Sequence, residues 1–245
     1  MKLAAFDLEI AAQIPDGVDD WSAYEPLGIS CAAVALGDVA PVKFWSGVPR
    51  MTREDCQQLV WDLIQLEEDG YTLVTWNGCG FDFRVLAQES GMVEECGRLA
   101  FGHVDLMLVV TFTKGWYLSL QKALEGAGLS GKLKHVALSD GSAIDEMNGA
   151  QAPGLWAAGE HEAVLAYLEQ DVVQLLALAE QVAARGEIRW TSNKGNLQRV
   201  PLSRLLTVQE CFRIPEPDTS WMTDPPTREQ FVAWIGGESG NPGGD

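Results

Sequence analysis

Basic residues are scarce in this chain. Seventeen Lys and Arg stand against 35 Asp and Glu over 245 residues, a net charge of −18 with three His taken as neutral. That balance argues against broad, non-specific association with nucleic acid or anionic membrane. A polyanionic partner would need local positive patches or bound metal ions. Paired cysteines are missing too. Cys31, Cys56, Cys79, Cys96 and Cys211 form no C-x-x-C pair and leave one over, which excludes a zinc ribbon or a disulfide framework and points to thiols in a reducing compartment. No apolar run approaches membrane-spanning length, and none before Asp7 could act as a signal peptide. A soluble cytoplasmic protein without membrane association is the expectation. Repeats and low-complexity tracts are absent, and the length allows one large domain, or a domain with an appendage, around a sizeable core.

What is present reads as alternating strands and helices. The opening "AAFDLEI", then "LGISCAAVAL" and "PVKFWSG" joined at Gly37 and Asp38, predict a meander of antiparallel strands. "TREDCQQLVWDLIQLEEDG" predicts a helix capped by Thr52 and stopped by Gly70. "YTLVTWN" is a short strand leading directly into a helix over residues 81–88, "FGHVDLMLVV" a further strand, and "LSLQKALEGAGL" a helix. A long helix follows over 160–185, its apolar side carrying Val164, Leu168, Val172, Leu175, Leu176, Ala179 and Val182. The order implies an α/β fold with a mixed sheet. From residue 190 on, proline-rich stretches replace this pattern, and residues 190–245 read as an appendage wrapping a core domain of residues 1–189. Within it Thr227 and Gln230 predict the capping box of a short "EQFVAWI" helix, and the last ten or so residues are expected to be disordered.

Against that background the first strand is anomalous. Asp7 and Glu9 project to one face, while Phe6 and Leu8 project to the other. Two neighbouring carboxylates on a mostly buried strand repel and resist desolvation unless a cation lies between them. An edge strand with one wet face is the plain alternative. Asp82, in "TWNGCGFDF", opens a helix, where a carboxylate also serves as a cap. Tyr167 and Asp171 stand four apart on one face of the long helix, and Asp171 interrupts its apolar stripe. Tyr167 alone reads as a core aromatic.

Together, a strand D-x-E, a strand–loop–helix F-D and a helical Y-x-x-x-D resemble the three exonuclease motifs of the DEDD superfamily, in its tyrosine variant. The histidine variant has His five residues before the last acid; Ala166 holds that position, and His161 is too far away. The nearest resemblance is to the proofreading 3′–5′ exonuclease domain of family B DNA polymerases, here without a polymerase, and it covers about residues 1–185. It implies a ribonuclease H-like fold, a mixed β-sheet flanked by helices. It also implies two divalent ions, Mg²⁺ or Mn²⁺, hard cations that take oxygen ligands. Asp7 would bridge both, Glu9 and Asp171 would complete one site, and Asp82 would hold the other. Tyr167 would orient the attacking water; an unperturbed phenol, with a pKa of about 10, is a poor general base. The implied reaction releases nucleoside 5′-monophosphates from single-stranded or frayed 3′ ends, with DNA preferred over RNA on the polymerase resemblance alone.

Basic residues do cluster locally. Four lysines, Lys114, Lys122, Lys132 and Lys134, face Glu125 alone across residues 114–134, and five basic residues face Glu187 alone across 185–204. Either run could contact phosphates, with Trp116, Tyr117 or Trp190 stacking on bases; solvated surface charge is an equal reading. Asn77 and Phe81 flank the second motif and are candidates for holding the terminal nucleotide, with packing an equal role for Phe81. Asp105 reads as structural. "EGAGLSGKL" imitates phosphate-binding loops but follows a helix, and Leu133 replaces the required Ser or Thr. "HEAVL" lacks the second His of a zinc-protease helix. An exoribonuclease or short-oligonucleotide hydrolase of the same fold, and a non-catalytic nucleic-acid-binding or scaffold protein, are the alternatives. A protein partner could dock on the tail through Trp221 and Trp234.

Overall fold

The computed structural model of the protein describes residues 1–236 except 16, 19, 20, 38, 132, 134 and 146, and only the backbone of residue 40. Lys132, Lys134 and the final residues expected to be disordered therefore lie outside the described residues.

The apolar runs at the start form the expected meander: β1 (Lys2–Ile10), β2 (Ile29–Leu36) and β3 (Val39–Ser46), each antiparallel to the next. After α1 (Arg53–Glu68) the chain crosses to the other side of β1. There β4 (Tyr71–Thr75) pairs parallel to it, and the two-residue β5 (Val104–Asp105) pairs parallel to β4. The sheet order is β3-β2-β1-β4-β5, a mixed sheet flanked by helices as the order of elements predicted. The plain alternative of an edge strand is not met: β1 is the central strand of the sheet, with β2 on one side and, over Lys2–Ala5, β4 on the other.

Local chemistry accounts for the helix ends. Thr52 and Asp55 form a reciprocal capping box at α1, and Gly70 just beyond its end takes φ +86°, a conformation that favours glycine. α2 (Asp82–Ser90) and α3 (Val93–Gly102) follow β4, and the ring of Phe83 packs 5.6 Å from Phe6 on one face of the sheet. The 25-residue α7 (His161–Arg185) packs on β1 and β2, with Val164, Leu168, Val172, Leu175 and Val182 buried at helical spacing. Five buried, unpaired thiols are dispersed through the core. No helix among the described residues is long and apolar enough to cross a membrane.

Two segments depart from the sequence expectation. Residues 101–110 were expected to form a strand, yet only Val104 and Asp105 pair, and α4 (Leu106–Lys114) begins at once. The Asp105 carboxylate accepts the N–H groups of Met107 (3.1 Å) and Leu108 (3.2 Å), which caps the helix. The helix is buried almost all round, so it carries no polar stripe to mark its period. The "EQFVAWI" segment makes two short 3-10 turns, Glu229–Phe231 and Ala233–Ile235, broken at Val232 with φ −125°. Only one arm of its expected box is formed with the backbone: Gln230 Oε1 accepts the Thr227 N–H at 3.0 Å.

The remaining elements are α5 (Leu120–Ala127), the two-residue strands β6 (Val136–Ala137) and β7 (Ala143–Ile144), α6 (Ala152–Ala157), the hairpin β8 (Glu187–Thr191) and β9 (Leu197–Pro201), and α8 (Val208–Cys211). The hairpin starts before residue 190 and packs on α5. Further on, the Val208 N–H donates to His103 O (2.9 Å), the Trp234 indole donates to Cys79 O (2.8 Å), and Phe231 is buried.

Candidate active site

β1 outruns its neighbour. β4 pairs with it only from Lys2 to Ala5, so beyond that point β1 lacks a strand partner on that side. The first residue of α2 fills the gap: Asp82 Oδ1 accepts the Leu8 N–H at 3.2 Å. The same hydrogen bond that finishes the sheet thus brings Asp82 against Asp7. Burial, and then the Asp7 charge and a side-chain hydrogen bond with Asp7, push the Asp82 carboxyl well above the usual carboxylate range. On the neighbouring β2, Cys31 pairs across from Glu9, and its thiol is buried. It is pushed up to about 12 by burial first, with the Glu9 and Asp7 charges adding to it.

α7 supplies the other side. Tyr167 and Asp171 are both buried, and together with Asp7 and Glu9 they line a cavity of about 450 Å³. Ligand pockets commonly have volumes of about 300–1,000 Å³. The far wall is apolar, made by Ile14, Val18, Trp21, Phe81 and Pro153. Trp21 meets Phe81 edge to face at 5.1 Å, and the Arg84 guanidinium covers the Trp21 ring at 4.5 Å. Gly149 lies at the rim, where an added Cβ would stand 3.9 Å from Glu9 Oε2, an ordinary van der Waals contact. Its 3-10 turn is held by the Asn148–Gln151 capping box.

The loop that presents Phe81 and Asp82 is clamped from below. Asp105 accepts the N–H groups of Asn77 (3.0 Å) and Cys79 (3.1 Å) as well as those of Met107 and Leu108. Burial still pushes its carboxyl up to about 6. The Gly78 N–H donates to Thr75 Oγ1 (3.0 Å), and Thr75 Oγ1 lies 2.8 Å from His103 Nε2. His103 Nδ1 lies 2.8 Å from Ala100 O, so a neutral ring protonated at Nδ1 accepts the Thr75 hydroxyl proton and satisfies every partner. Burial lowers the His103 pKa to about 4 and keeps that form at neutral pH. Asn77 itself takes φ +72° in this turn.

Of the residues singled out in the sequence, Asp7, Glu9, Tyr167, Asp171 and Phe81 line one cavity, and Asp82 lies against Asp7 at its edge. Asn77 and Lys114 do not line it; Asn77 serves the turn and Lys114 ends α4. Trp190 is corrected as a stacking candidate, because it is 1% exposed and packs edge to face on Trp116. Trp21 and the Gly149 rim were missed. A tryptophan in the acidic, glycine-containing loop after β1, outside any periodic pattern, was the one available signal.

The donor set fits a hard divalent cation. It is oxygen-only and anionic, and no Lys, Arg or His among the described residues lines the cavity. No group of three or more such acids among the described residues is close enough to form a ready coordination sphere; Asp7 and Asp82 are the pair in contact.

Residues 47–183, more than half of the chain, match the family model of the RNase H superfamily. The match contains Asp82, Tyr167 and Asp171 and begins after β1. No curated protein matches the chain.

Proposed function

The chain belongs to the RNase H superfamily, whose members are usually nucleases that use divalent metals, and on that premise we propose that it is a 3′–5′ exonuclease. It removes nucleoside 5′-monophosphates from single-stranded or frayed 3′ ends, DNA in preference to RNA. The observation that carries the reading is the convergence of Asp7, Glu9, Tyr167 and Asp171 on one cavity, with Asp82 against Asp7.

Asp7, Glu9, Asp82 and Asp171 would hold two Mg²⁺ or Mn²⁺ ions. When bound, these ions would offset the charge of the scissile phosphate and of the attacking and leaving oxygens. The chain's own groups do the rest. The Tyr167 hydroxyl, one turn before Asp171, orients the attacking water for in-line displacement. Phe81 and Trp21 offer the terminal base an aromatic wall. Asp105 and Thr75 keep the Asp82 loop rigid and so fix where the phosphate sits relative to the acids. Asp82 must give up its proton before a cation can be held, so hydrolysis rises with pH.

The test is digestion of 5′-labelled single-stranded DNA with Mg²⁺ or Mn²⁺, beside Asp7→Asn and a matched RNA. A ladder that shortens from the 3′ end, and is lost with EDTA and in the variant, is the expected result. Cleavage of RNA alone would overturn the DNA preference. Binding without cleavage of either strand would support the non-catalytic alternative.

A further inference from the structure

A second cavity, of about 490 Å³, opens where the turn between α4 and α5 meets the β8–β9 hairpin. Its lining is unlike the rest of this acidic molecule. Lys122 and Lys194 are the charged residues lining it, and no Asp or Glu does. Lys122 Nζ donates to Asn193 Oδ1 at 2.6 Å, a neutral amide that leaves the ammonium charge in place. Trp116 and the half-exposed Tyr117 supply ring surface, with Asn193 and Gln198 as amide groups.

The walls are locked together. Arg189 Nε donates to Gly126 O at 2.9 Å, and a Cβ at Gly126 would collide with the Arg189 carbonyl oxygen, so α5 and β8 are in backbone contact. The pocket is therefore preformed. It is also joined by packing to the acidic cavity. Tyr117 lies edge to face on Phe231 at 6.0 Å, and Phe231 abuts Gly80, the residue before Phe81.

Ammonium groups for phosphate, ring faces for stacking and amides for base edges are the elements that bind unpaired nucleotides. We propose that this second cavity binds an upstream nucleotide of a single-stranded nucleic acid whose 3′ end occupies the acidic cavity. The proposal rests on the nuclease reading above and names the part of the substrate that the acidic cavity does not reach. It brings together residues from two basic runs, 114–134 and 185–204, that are far apart in sequence.

The test uses a 5′-fluorescein-labelled single-stranded DNA of about twenty residues and a dinucleotide of the same sequence. Anisotropy without metal compares the full chain with Lys122→Glu/Lys194→Glu and with Tyr117→Ala, each checked by circular dichroism. The double variant should bind the long strand about tenfold or more weakly, with the slope of log K against log salt reduced by about 1.4, at about 0.7 per contact. Tyr117→Ala, which alters no charge, should weaken binding about tenfold with the slope unchanged. With Mg²⁺, KM for the long strand should rise in parallel while dinucleotide hydrolysis stays at the level of the unaltered chain. Unchanged affinity and slope in folded variants would overturn the second site, as would failure of the unaltered chain to bind. If neither substrate is hydrolysed but affinity still depends on Lys122, Lys194 and Tyr117, the exonuclease reading falls and the binding site stands.

Discussion

Asp82→Asn should abolish hydrolysis and yet raise the melting temperature of the metal-free protein. Asp82 is buried, it accepts the Leu8 N–H, and its carboxyl is raised by burial and by Asp7. Asparagine keeps the oxygen that Leu8 needs and turns an amide donor to the Asp7 carboxylate. While Asp82 keeps its proton it already donates to Asp7; once it is ionised, the contact between two carboxylates becomes in the variant a charge-assisted hydrogen bond, a kind worth about 1.5–3 kcal/mol net. At about 2–4 °C per kcal/mol for a chain of this size, the expected gain at a pH where Asp82 is ionised is about 3–12 °C. The sign with pH follows from the raised carboxyl. Its contribution to stability is complete below the unfolded carboxylate value of about 3.9 and is lost as pH rises through the folded value. The advantage of the variant should therefore grow from pH 5 to pH 9, as thermal melts in EDTA would show. Added Mg²⁺ should reverse the order. A site that binds only the folded protein gains about 2.7 kcal/mol at a hundredfold excess over Kd, and the variant has lost one of the four acids proposed to hold the ions. A variant that melts below the parent in EDTA at pH 8, or an advantage that shrinks as pH rises, would refute the account of Asp82.

Three further outcomes are expected. Tyr167→Phe should lower kcat about a hundredfold with little change in KM, because in the proposed mechanism the hydroxyl acts on the water and not on substrate affinity; an equal rise in KM would contradict that role. Asp105→Ala should cost about 2–4 kcal/mol in urea melts, since four N–H groups lose their acceptor at once, and it should also lower the activity of the protein that remains folded. Gly126→Ala should destabilise by about 1–3 kcal/mol, because α5 must move off β8, and should weaken oligonucleotide binding in the same step.

Much of this architecture was legible from local signals. The alternation in β1, the Thr52 cap of α1 and the 3.6-residue stripe of α7 each leave a periodic or chemical trace in the chain. Asp7, Glu9 and Asp171 were legible as candidates because carboxylates in apolar runs are costly unless something offsets them, and Asp82 and Tyr167 joined them through the motif resemblance. What was not legible depends on partners remote in sequence. The central place of β1 is decided by β4, some sixty residues later. Helix α4 is buried nearly all round, so it shows no period, and its cap, Asp105, read as an isolated strand acid. Trp21, the Gly149 rim and the Lys122–Asn193 contact join residues with no sequence relation to the groups they serve.

The closure of β1 by Asp82 has a practical consequence for inactivating this protein. The acid is also the acceptor that keeps a strand amide from being stranded in the interior. Truncation to alanine would remove a candidate ligand and orphan the Leu8 N–H in one stroke, so a dead enzyme made that way would confound lost chemistry with a loosened sheet. Asparagine keeps the backbone bonded while emptying the position of charge. It is the replacement with which a trapped complex of intact protein and uncut strand could be prepared.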